Sequence, residues 1–229
     1  MDFQFCEDVE STQDTARALL SSKACSPPFA VCASSQSKGR GTSSRSWFSP
    51  SGNLFLTVVV PSSPLFTSGV PITLLPLKVG CVAAAAIKRL LPSDRVEAVK
   101  LKWPNDVLMD RKKVSGVLIE TAPEIPDSGD NLGRESTCIG NYAPLPDADS
   151  VVRGLGEEIA TNIGEWFKQL PSSPGDVVGE FSSQVEFGVR IRMREGGWVV
   201  PLRIESDGQL LVRVEATGVE RLLCSDYML

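Results

Sequence analysis

Histidine is missing altogether from this sequence of 229 residues. The usual general base and the commonest metal-binding side chain are therefore absent. The six cysteines include no Cys-x-x-Cys pair, so the spacing of a structural zinc site is missing as well. Scattered cysteines in a chain of this length predict reduced core thiols in an intracellular protein. Any chemistry must depend on carboxylates, lysines, arginines, backbone dipoles or a metal held by oxygen ligands.

Long apolar runs are also missing. The longest, residues 79–87 and 54–60, are far too short to cross a bilayer. The first four residues lack the basic segment that opens a secretory signal, so a cytoplasmic location is predicted. A net charge of −5 argues against a general nucleic-acid binder but leaves room for a local basic pocket. With 42% hydrophobic and 22% charged residues, the composition predicts a globular protein of one large domain, or one domain plus a small appendage.

Hydrophobic periodicity predicts a mixture of strands and helices over the first 170 residues. Ser11 is a good N-cap for a helix that runs toward Leu20, and Asp14 in its first turn suits the helix dipole. Further helices are predicted at residues 74–91 and from Val152 to Leu170. Strands are predicted at residues 3–6, 30–34, 54–60 (buried on both faces), 96–103, 107–109, 114–120 and 137–142, with a hairpin turn at 110–112 and loops at 36–50, 61–71 and 121–136.

The pattern changes after a predicted linker at residues 171–179. From there on the sequence predicts only short strands, at residues 185–193, 198–204, 209–214 and 219–223, separated by Gly-containing turns. So many short strands in so few residues favour a small barrel. The fold class predicted is therefore α+β, with a β-only region at the C-terminus.

A loop rich in glycine and serine contains Gly39, Arg40, Gly41 and Arg45. The two glycines let the backbone approach a charged ligand, and the two arginines could bind phosphate or carboxylate with two hydrogen bonds each. Ser44 stands where the third glycine of a dinucleotide fingerprint would be. Taken alone, this segment is more typical of a flexible loop.

Residues 102–106 read Lys-Trp-Pro-Asn-Asp and end a predicted strand. The proline stops the strand and places Asn105 and Asp106 in a loop, where they could hold Mg²⁺ and a phosphate or only cap a turn. Lys113 follows the hairpin turn and could equally be a solvated charge. Gly116 inside a strand often marks close approach of a ligand.

These segments, in this order, resemble the biotin–protein ligase family. The shared motifs are Gly-Arg-Gly at residues 39–41, Trp-Phe-Ser-Pro at 47–50, Lys-Trp-Pro-Asn-Asp at 102–106, the hairpin lysine at 113, Gly-Val-Leu-Ile-Glu at 116–120 and Ser-Thr-Gln at 11–13. The resemblance implies a mixed β-sheet flanked by helices, of the class II synthetase-like kind, at residues 1–178, and an SH3-like barrel at 179–229. It is a resemblance to members without a helix-turn-helix, so no DNA partner is expected.

The resemblance also implies a reaction in two steps. Biotin and ATP with Mg²⁺ form biotinyl-5′-AMP and pyrophosphate, and a lysine of a biotin carboxyl carrier domain then takes the biotin. No tightly bound prosthetic group and no membrane contact are expected, and a homodimer is a further expectation.

The resemblance assigns roles to individual residues. Lys113, Arg40 and Asp106 would be catalytic, and Asn105 and Asp106 would support Mg²⁺. Biotin would be bound by residues of both the helix start and the loops: Ser11, Thr12, Gln13, Gln36, Gly39, Arg40, Lys113 and Gly116. ATP or the adenylate would contact Gly41, Thr42, Arg45, Trp47, Asn105 and Asn141.

Departures from the family pattern keep other interpretations open. Residues 42–44 are Thr-Ser-Ser where some members have arginine and glycine, and the family's Ile-Gly-x-Gly-x-Asn strand is shortened to Ile139-Gly140-Asn141. The alternatives are a lipoate–protein ligase, whose arginine- and glycine-rich signature is absent, and a non-catalytic biotin-binding relative. A more distant one is a serine–lysine hydrolase that uses Ser35 and Lys38.

Overall fold

The structure is a computed structural model that describes residues 1–41, 45–120, 148–170, 175–193 and 196–224. The strands are β1 (Asp2–Val9), β2 (Phe29–Arg40), β3 (Ser46–Ser49), β4 (Phe55–Val59), β5 (Val99–Lys102), β6 (Asp106–Met109), β7 (Lys112–Gly116), β8 (Ile191–Arg192), β9 (Trp198–Ile204), β10 (Leu210–Val214) and β11 (Glu220–Leu223). The helices are α1 (Thr12–Ser21), α2 (Ser63–Ser68), α3 (Leu75–Arg89), α4 (Ala148–Gln169) and α5 (Val177–Ser182), with short 3-10 helices at Ile72–Leu74 and Ser93–Ala98.

The first sheet is mixed and is built around β2. Strand β1 pairs with β2 in parallel, and α1 forms the crossover between them. Strands β3 and β4 pair with β2 in antiparallel orientation. The start of α1 is thereby held against β2, where Thr12 and Gln36 of the predicted biotin-binding set meet.

The second sheet is the meander β5-β6-β7. Its β6–β7 turn has Asp110 and Arg111 in the left-handed region (φ 48° and 63°), so the predicted hairpin is confirmed as a tight two-residue turn. The pairing places Asp106 directly opposite Gly116. Two motifs that are ten residues apart thus become neighbours across one ladder.

The third sheet contains the C-terminal strands in the order β11-β10-β9-β8. The strands predicted at 198–204, 209–214 and 219–223 are confirmed, but the one predicted at 185–193 is wrong except for Ile191–Arg192. Gly188, at φ +81°, interrupts it, and Val185 instead forms a parallel bridge to Leu101. The predicted C-terminal β-only region is therefore an antiparallel sheet; in the part of the chain that the structure describes, β8 and β11 are its edges and the sheet does not close into a barrel.

The two long helices cover one continuous hydrophobic core. The Ala-rich helix α3 and the amphipathic helix α4 are both confirmed close to their predicted bounds. Buried residues of α4 and of the position after it follow the predicted face: Leu155, Ile159, Ile163, Trp166 and, directly after the helix, Leu170. The same core includes β5 and β6 as well as Val199, Leu210 and Leu223 of the third sheet. None of the described helices is both long and apolar enough to cross a membrane.

Several loop predictions are wrong. Residues 36–50 were expected to be a loop, yet β2 continues through Arg40 and pairs with β3, because backbone pairing overrides the weak strand propensity of Gly and Ser. Helix α2 lies within the predicted loop 61–71, and α5 begins within the predicted linker 171–179. Strand β4 is only half-buried, since its described pairing is with β2 alone. The loop at 121–136 and the strand at 137–142 lie outside the described residues.

The cysteine prediction is confirmed for three described thiols. Cys25, Cys32 and Cys81 are free and buried, whereas Cys6 is half-buried and Cys224 is exposed. Burial raises the pKa of Cys32 to about 11 and that of Cys81 to about 12. These thiols are held protonated inside the core and are packing residues.

Candidate active site

A polar cluster lies where α1 begins. Ser11 caps the helix as predicted, since its Oγ accepts a hydrogen bond from the Gln13 N–H at 3.3 Å. The Thr12 N–H and Oγ1 both donate to Gln36 Oε1, at 2.9 and 3.1 Å. Thr57 Oγ1 donates to Thr12 Oγ1 at 2.8 Å. These contacts bring together α1, β2 and β4 around buried hydroxyls and one amide.

Two glycines allow the β2–β3 hairpin to close tightly. A Cβ on Gly41 would lie 2.5 Å from Nε1 and 2.9 Å from Cδ1 of the Trp47 indole. A Cβ on Gly39 would contact Ser49 Oγ and lie 3.0 Å from the Trp47 carbonyl oxygen. The Gly41 N–H donates to the Arg45 carbonyl at 2.6 Å. Glycine is therefore needed here for space, which is the close backbone approach expected from the sequence.

Lys113 and Asp106 form a buried ion pair next to this hairpin. Lys113 Nζ lies 2.5 Å from Asp106 Oδ1, and the two side chains are only 12% and 5% exposed. The same ammonium lies 4.7 Å from the centroid of the Trp47 ring, in cation–π geometry. A lysine on the surface of a hairpin would remain solvated, whereas the contacts with Asp106 and Trp47 hold this ammonium in one position.

Gly116 makes room for that lysine. A Cβ at this position would lie 2.6 Å from Nζ and 2.7 Å from Cε of Lys113. It would also lie 3.5 Å from Cζ2 of Trp47. Gly116 was predicted to mark the close approach of a ligand. In the structure the space beside it is filled by the Lys113 ammonium, which is the group expected to contact the ligand.

Arg40 is held by carboxylates. Its Nη1 and Nη2 donate to the two carboxylate oxygens of Asp14 at 2.6 and 2.9 Å, and its Nε lies 3.6 Å from Glu120 Oε1. The hydrogen bond from Arg40 holds the pKa of the Asp14 carboxyl below its usual value. Arg40 thus connects the hairpin of β2 and β3 to α1.

Asn105 has a structural contact in this arrangement. Its Nδ2 donates to the Val117 carbonyl at 2.7 Å, and the Val117 N–H donates back to the Asn105 carbonyl at 2.9 Å. In the described residues no group of three or more Cys, Asp or Glu side chains could hold a metal ion. Asp106 already faces an ammonium, so these residues do not fit a resident metal. Magnesium bound by Asn105 and Asp106 stays a prediction, and such an ion would arrive with ATP.

Other predicted site residues are placed in different ways. The Gln13 N–H donates to Ser11 Oγ in the polar cluster, and the Arg45 carbonyl accepts a hydrogen bond from the Gly41 N–H in the β2–β3 hairpin. Thr42 and Asn141 lie outside the described residues. Ser35 donates to Asp8 while Lys38 pairs with Glu10, so the serine–lysine arrangement is not formed.

The sequence-based assignment omitted Arg17, Thr57 and Glu120, and it gave Asp14 only a role at the helix dipole. Thr57 contacts Thr12, and Asp14 and Glu120 contact Arg40, while Arg17 contacts both of these carboxylates. An available signal was charge: Arg40 in a partly buried site requires an acidic partner, and the chain offered Asp14 in the first turn of the preceding helix. The spacing of residues in the sequence does not indicate which carboxylate contacts Arg40.

The polar cluster, the glycine hairpin and the Lys113–Asp106 pair all lie between residues 11 and 116, on α1 and the first two sheets. The sequence profile of the biotin/lipoate A/B protein ligase family matches residues 5–128, which is more than half of the chain. The chain belongs to that family.

Individual relatives agree with this assignment. A biotin–[acetyl-CoA-carboxylase] ligase of Paracoccus denitrificans is 34% identical over 145 residues, which are 61% of this chain and 55% of that protein. The bifunctional ligase/repressor BirA of Escherichia coli K12 is 33% identical over 102 residues, which are 43% of this chain and 29% of that protein. The matched region therefore spans about half or less of these curated relatives.

Solved structures of biotin protein ligases share the fold along nearly the whole chain. The enzyme from Leishmania major in complex with biotinyl-5-AMP is 27% identical, with a TM-score of 0.60 over 97% of this chain and 98% of that one. The enzyme from Aquifex aeolicus in complex with biotin and ATP superimposes with a TM-score of 0.73 over 99% and 97% of the two chains, and at 22% identity it supports the fold alone.

Proposed function

We propose that this protein is a biotin–protein ligase that activates biotin with Mg-ATP and then transfers it to a lysine of a biotin carboxyl carrier domain. The observation that carries this proposal is the buried Lys113–Asp106 pair, which contacts Trp47 of the β2–β3 hairpin. In the same hairpin, Arg40 is the last residue of β2. A buried cation beside a close-approach backbone suits a reaction in which two anions must meet.

In the first step an oxygen of the biotin carboxylate attacks the α-phosphorus of ATP. The new bond gives a mixed anhydride, biotinyl-5′-AMP, and the bond to the β-phosphate oxygen breaks to release pyrophosphate. Lys113 and Arg40 would neutralise the charge that builds up as the carboxylate and phosphate approach. The magnesium that accompanies ATP would be held mainly by the phosphates.

In the second step the amine of the carrier lysine attacks the biotinyl carbonyl and AMP leaves. That amine must first lose a proton, and Asp106 is the carboxylate nearest to Lys113. Asp106 would orient the incoming amine once the adenylate has drawn Lys113 toward its phosphate. The products are the amide, AMP and the protons that the amine gives up, which pass to Asp106 or to solvent.

Biotin itself would be bound by the polar cluster of Ser11, Thr12 and Gln36 together with Gly39 and Gly116. Hydroxyl and amide groups there both donate and accept hydrogen bonds, which suits a neutral polar ring. Gly41, Trp47 and Arg45 would cover the nucleotide side and exclude water from the adenylate. A carrier domain as partner, a cytoplasmic location and a homodimer belong to this proposal.

Biotin-dependent exchange of pyrophosphate into ATP in the presence of Mg²⁺ tests the proposal, with lipoate assayed in parallel. Exchange with biotin alone is the expected result, since it reports the reversible adenylation step. Exchange with lipoate alone would transfer the assignment to lipoate–protein ligase. Binding of biotin without exchange would instead identify a non-catalytic relative.

A further inference from the structure

Four charged side chains form a closed network beside α1, which we call the four-charge network: Asp14, Arg17, Arg40 and Glu120. Each carboxylate contacts both guanidinium groups. Asp14 binds Arg40 at 2.6 and 2.9 Å and Arg17 at 3.3 Å. Glu120 contacts Arg17 directly and lies 3.6 Å from Arg40 Nε. The network is electrically neutral as a whole.

The contacts occupy the surfaces of Arg40 that bind anions. A guanidinium binds a carboxylate or phosphate through two N–H groups that point the same way. Asp14 takes the Nη1/Nη2 pair, and Glu120 lies opposite Nε. An anionic ligand that binds Arg40 with two hydrogen bonds must therefore replace one of these carboxylates.

Arg17 is positioned to remain in contact with both carboxylates when Arg40 leaves them. It already contacts both, through Nη1 to Asp14 and Nη2 to Glu120. When Arg40 turns to a ligand, the two carboxylates keep one cation between them. Without Arg17, Arg40 would be the one guanidinium of the network left in contact with Asp14 and Glu120. The two carboxylates would then bind Arg40 more strongly.

We propose that Arg17 is a positioning residue that allows Arg40 to exchange Asp14 and Glu120 for the anionic group of the ligand. The inference rests on the proposed function, in which Arg40 meets the biotin carboxylate or the nucleotide phosphate. Asp14 competes with that anion for Arg40, and Arg17 weakens the competition. Removal of Arg17 and removal of the Asp14 charge must therefore change ligand affinity in opposite directions.

The test is calorimetric binding of biotin and of AMP to the whole chain and to the variants Arg17→Ala, Arg17→Lys and Asp14→Asn. Biotinol, in which an alcohol replaces the carboxylate, serves as the matched ligand without the anion. We expect Arg17→Ala to weaken biotin binding about two- to fivefold, the scale of partly exposed ion pairs. Arg17→Lys should restore most of the affinity, and Asp14→Asn should increase it by a similar factor.

Biotinol affinity should stay the same in all variants, which distinguishes charge exchange from a general structural effect. If Arg17→Ala lowers and Asp14→Asn raises the affinity for AMP while biotin affinity stays the same, the exchange is supported with phosphate as the anion. Equal losses for biotin and biotinol, or changes of the same sign in Arg17→Ala and Asp14→Asn, would overturn the inference. Should Arg17→Ala fail to fold, Asp14→Asn and Arg17→Lys still decide it. A wild-type chain that binds no biotin would instead count against the proposed function.

Discussion

At the scale of single residues, the site depends on one missing side chain. Gly116 lies opposite Asp106 in the β6–β7 ladder, and the space above it contains the end of Lys113. Because the clash of an added Cβ would be with the flexible end of a lysine, the backbone could stay where it is while the ammonium moved. The glycine therefore affects the position of a charge more than it affects stability.

The variant Gly116→Ala tests this effect. We expect pyrophosphate exchange to fall about 10- to 100-fold, since displacement of a catalytic group by about 1 Å has effects of that order. The thermal midpoint should change little. Gly154→Ala is the matched control because a Cβ there would meet nothing within 4 Å. Equal exchange rates in both variants would show that the position of Lys113 is unimportant.

Lys113 itself should be the most sensitive residue of the first half-reaction. We expect Lys113→Ala to raise the adenylation barrier by about 2–4 kcal/mol, the scale of losing one charge-stabilising donor. Single-turnover formation of the adenylate measures it directly. Lys112→Ala, on the same hairpin but exposed, is the control. A near-normal adenylation rate in Lys113→Ala would remove this residue from the mechanism.

At the scale of secondary-structure elements, β5 and the residue that follows it are hydrogen-bonded to the C-terminal part of the chain. The Trp103 Nε1–H donates to the Gly208 carbonyl at 2.8 Å in a buried contact, and Leu101 N–H donates to the Gln184 carbonyl at 2.9 Å. Trp103 lies between β5 and the segment that contains Asn105 and Asp106. The turn between β9 and β10 thereby supports the connection from β5 to β6, which leads into Asp106 at the start of β6.

The variant Trp103→Phe removes that hydrogen bond and leaves most of the ring. It should lower the free energy of unfolding by about 1–3 kcal/mol, the cost of a buried carbonyl that has lost its donor. Urea denaturation followed by circular dichroism measures the change. Trp198→Phe is the control, since Trp198 is 40% exposed. Similar losses in the two variants would mean that the buried hydrogen bond contributes nothing specific.

At the scale of the whole molecule, one hydrophobic core crosses the domain boundary expected at residues 178 and 179. Buried residues on both sides belong to the same cluster, among them Leu77, Phe181 and Val212. The boundary itself falls inside α5, and Phe181 of that helix packs 3.5 Å from the position of a Cβ on Gly80. Two separate domains would each have a core of their own.

We expect the full chain to unfold in a single urea transition and a fragment of residues 1–184 to be unfolded or aggregated. The fragment keeps α5 but loses the buried faces of β9, β10 and β11. Coincident transitions by tryptophan fluorescence and circular dichroism are the measurement. Two separated transitions, or a folded fragment, would support the boundary predicted from sequence.

Agreement between sequence and structure follows the range of the interactions. The Ser11 cap and the Asp110–Arg111 turn were predictable because their hydrogen bonds and dihedral angles involve near neighbours. The strand expected at 185–193 failed because its alternating pattern competed with a bridge to Leu101, which is more than 80 residues away. The glycine hairpin was mistaken for a loop because strand pairing, not composition, decided its conformation.

The sequence by itself determined the three longest helices and most strands, the motifs that place the chain in its family, and the residue types available for chemistry without histidine. Local hydrogen bonds and side-chain periodicity are encoded in adjacent residues. Only the tertiary structure decided that Lys113 is buried against Asp106, that Asp14 and Glu120 occupy Arg40, and that Gly208 supports Trp103. These contacts join residues brought together by folding, and ion-pair partners are chosen by proximity and burial that no spacing in the sequence specifies.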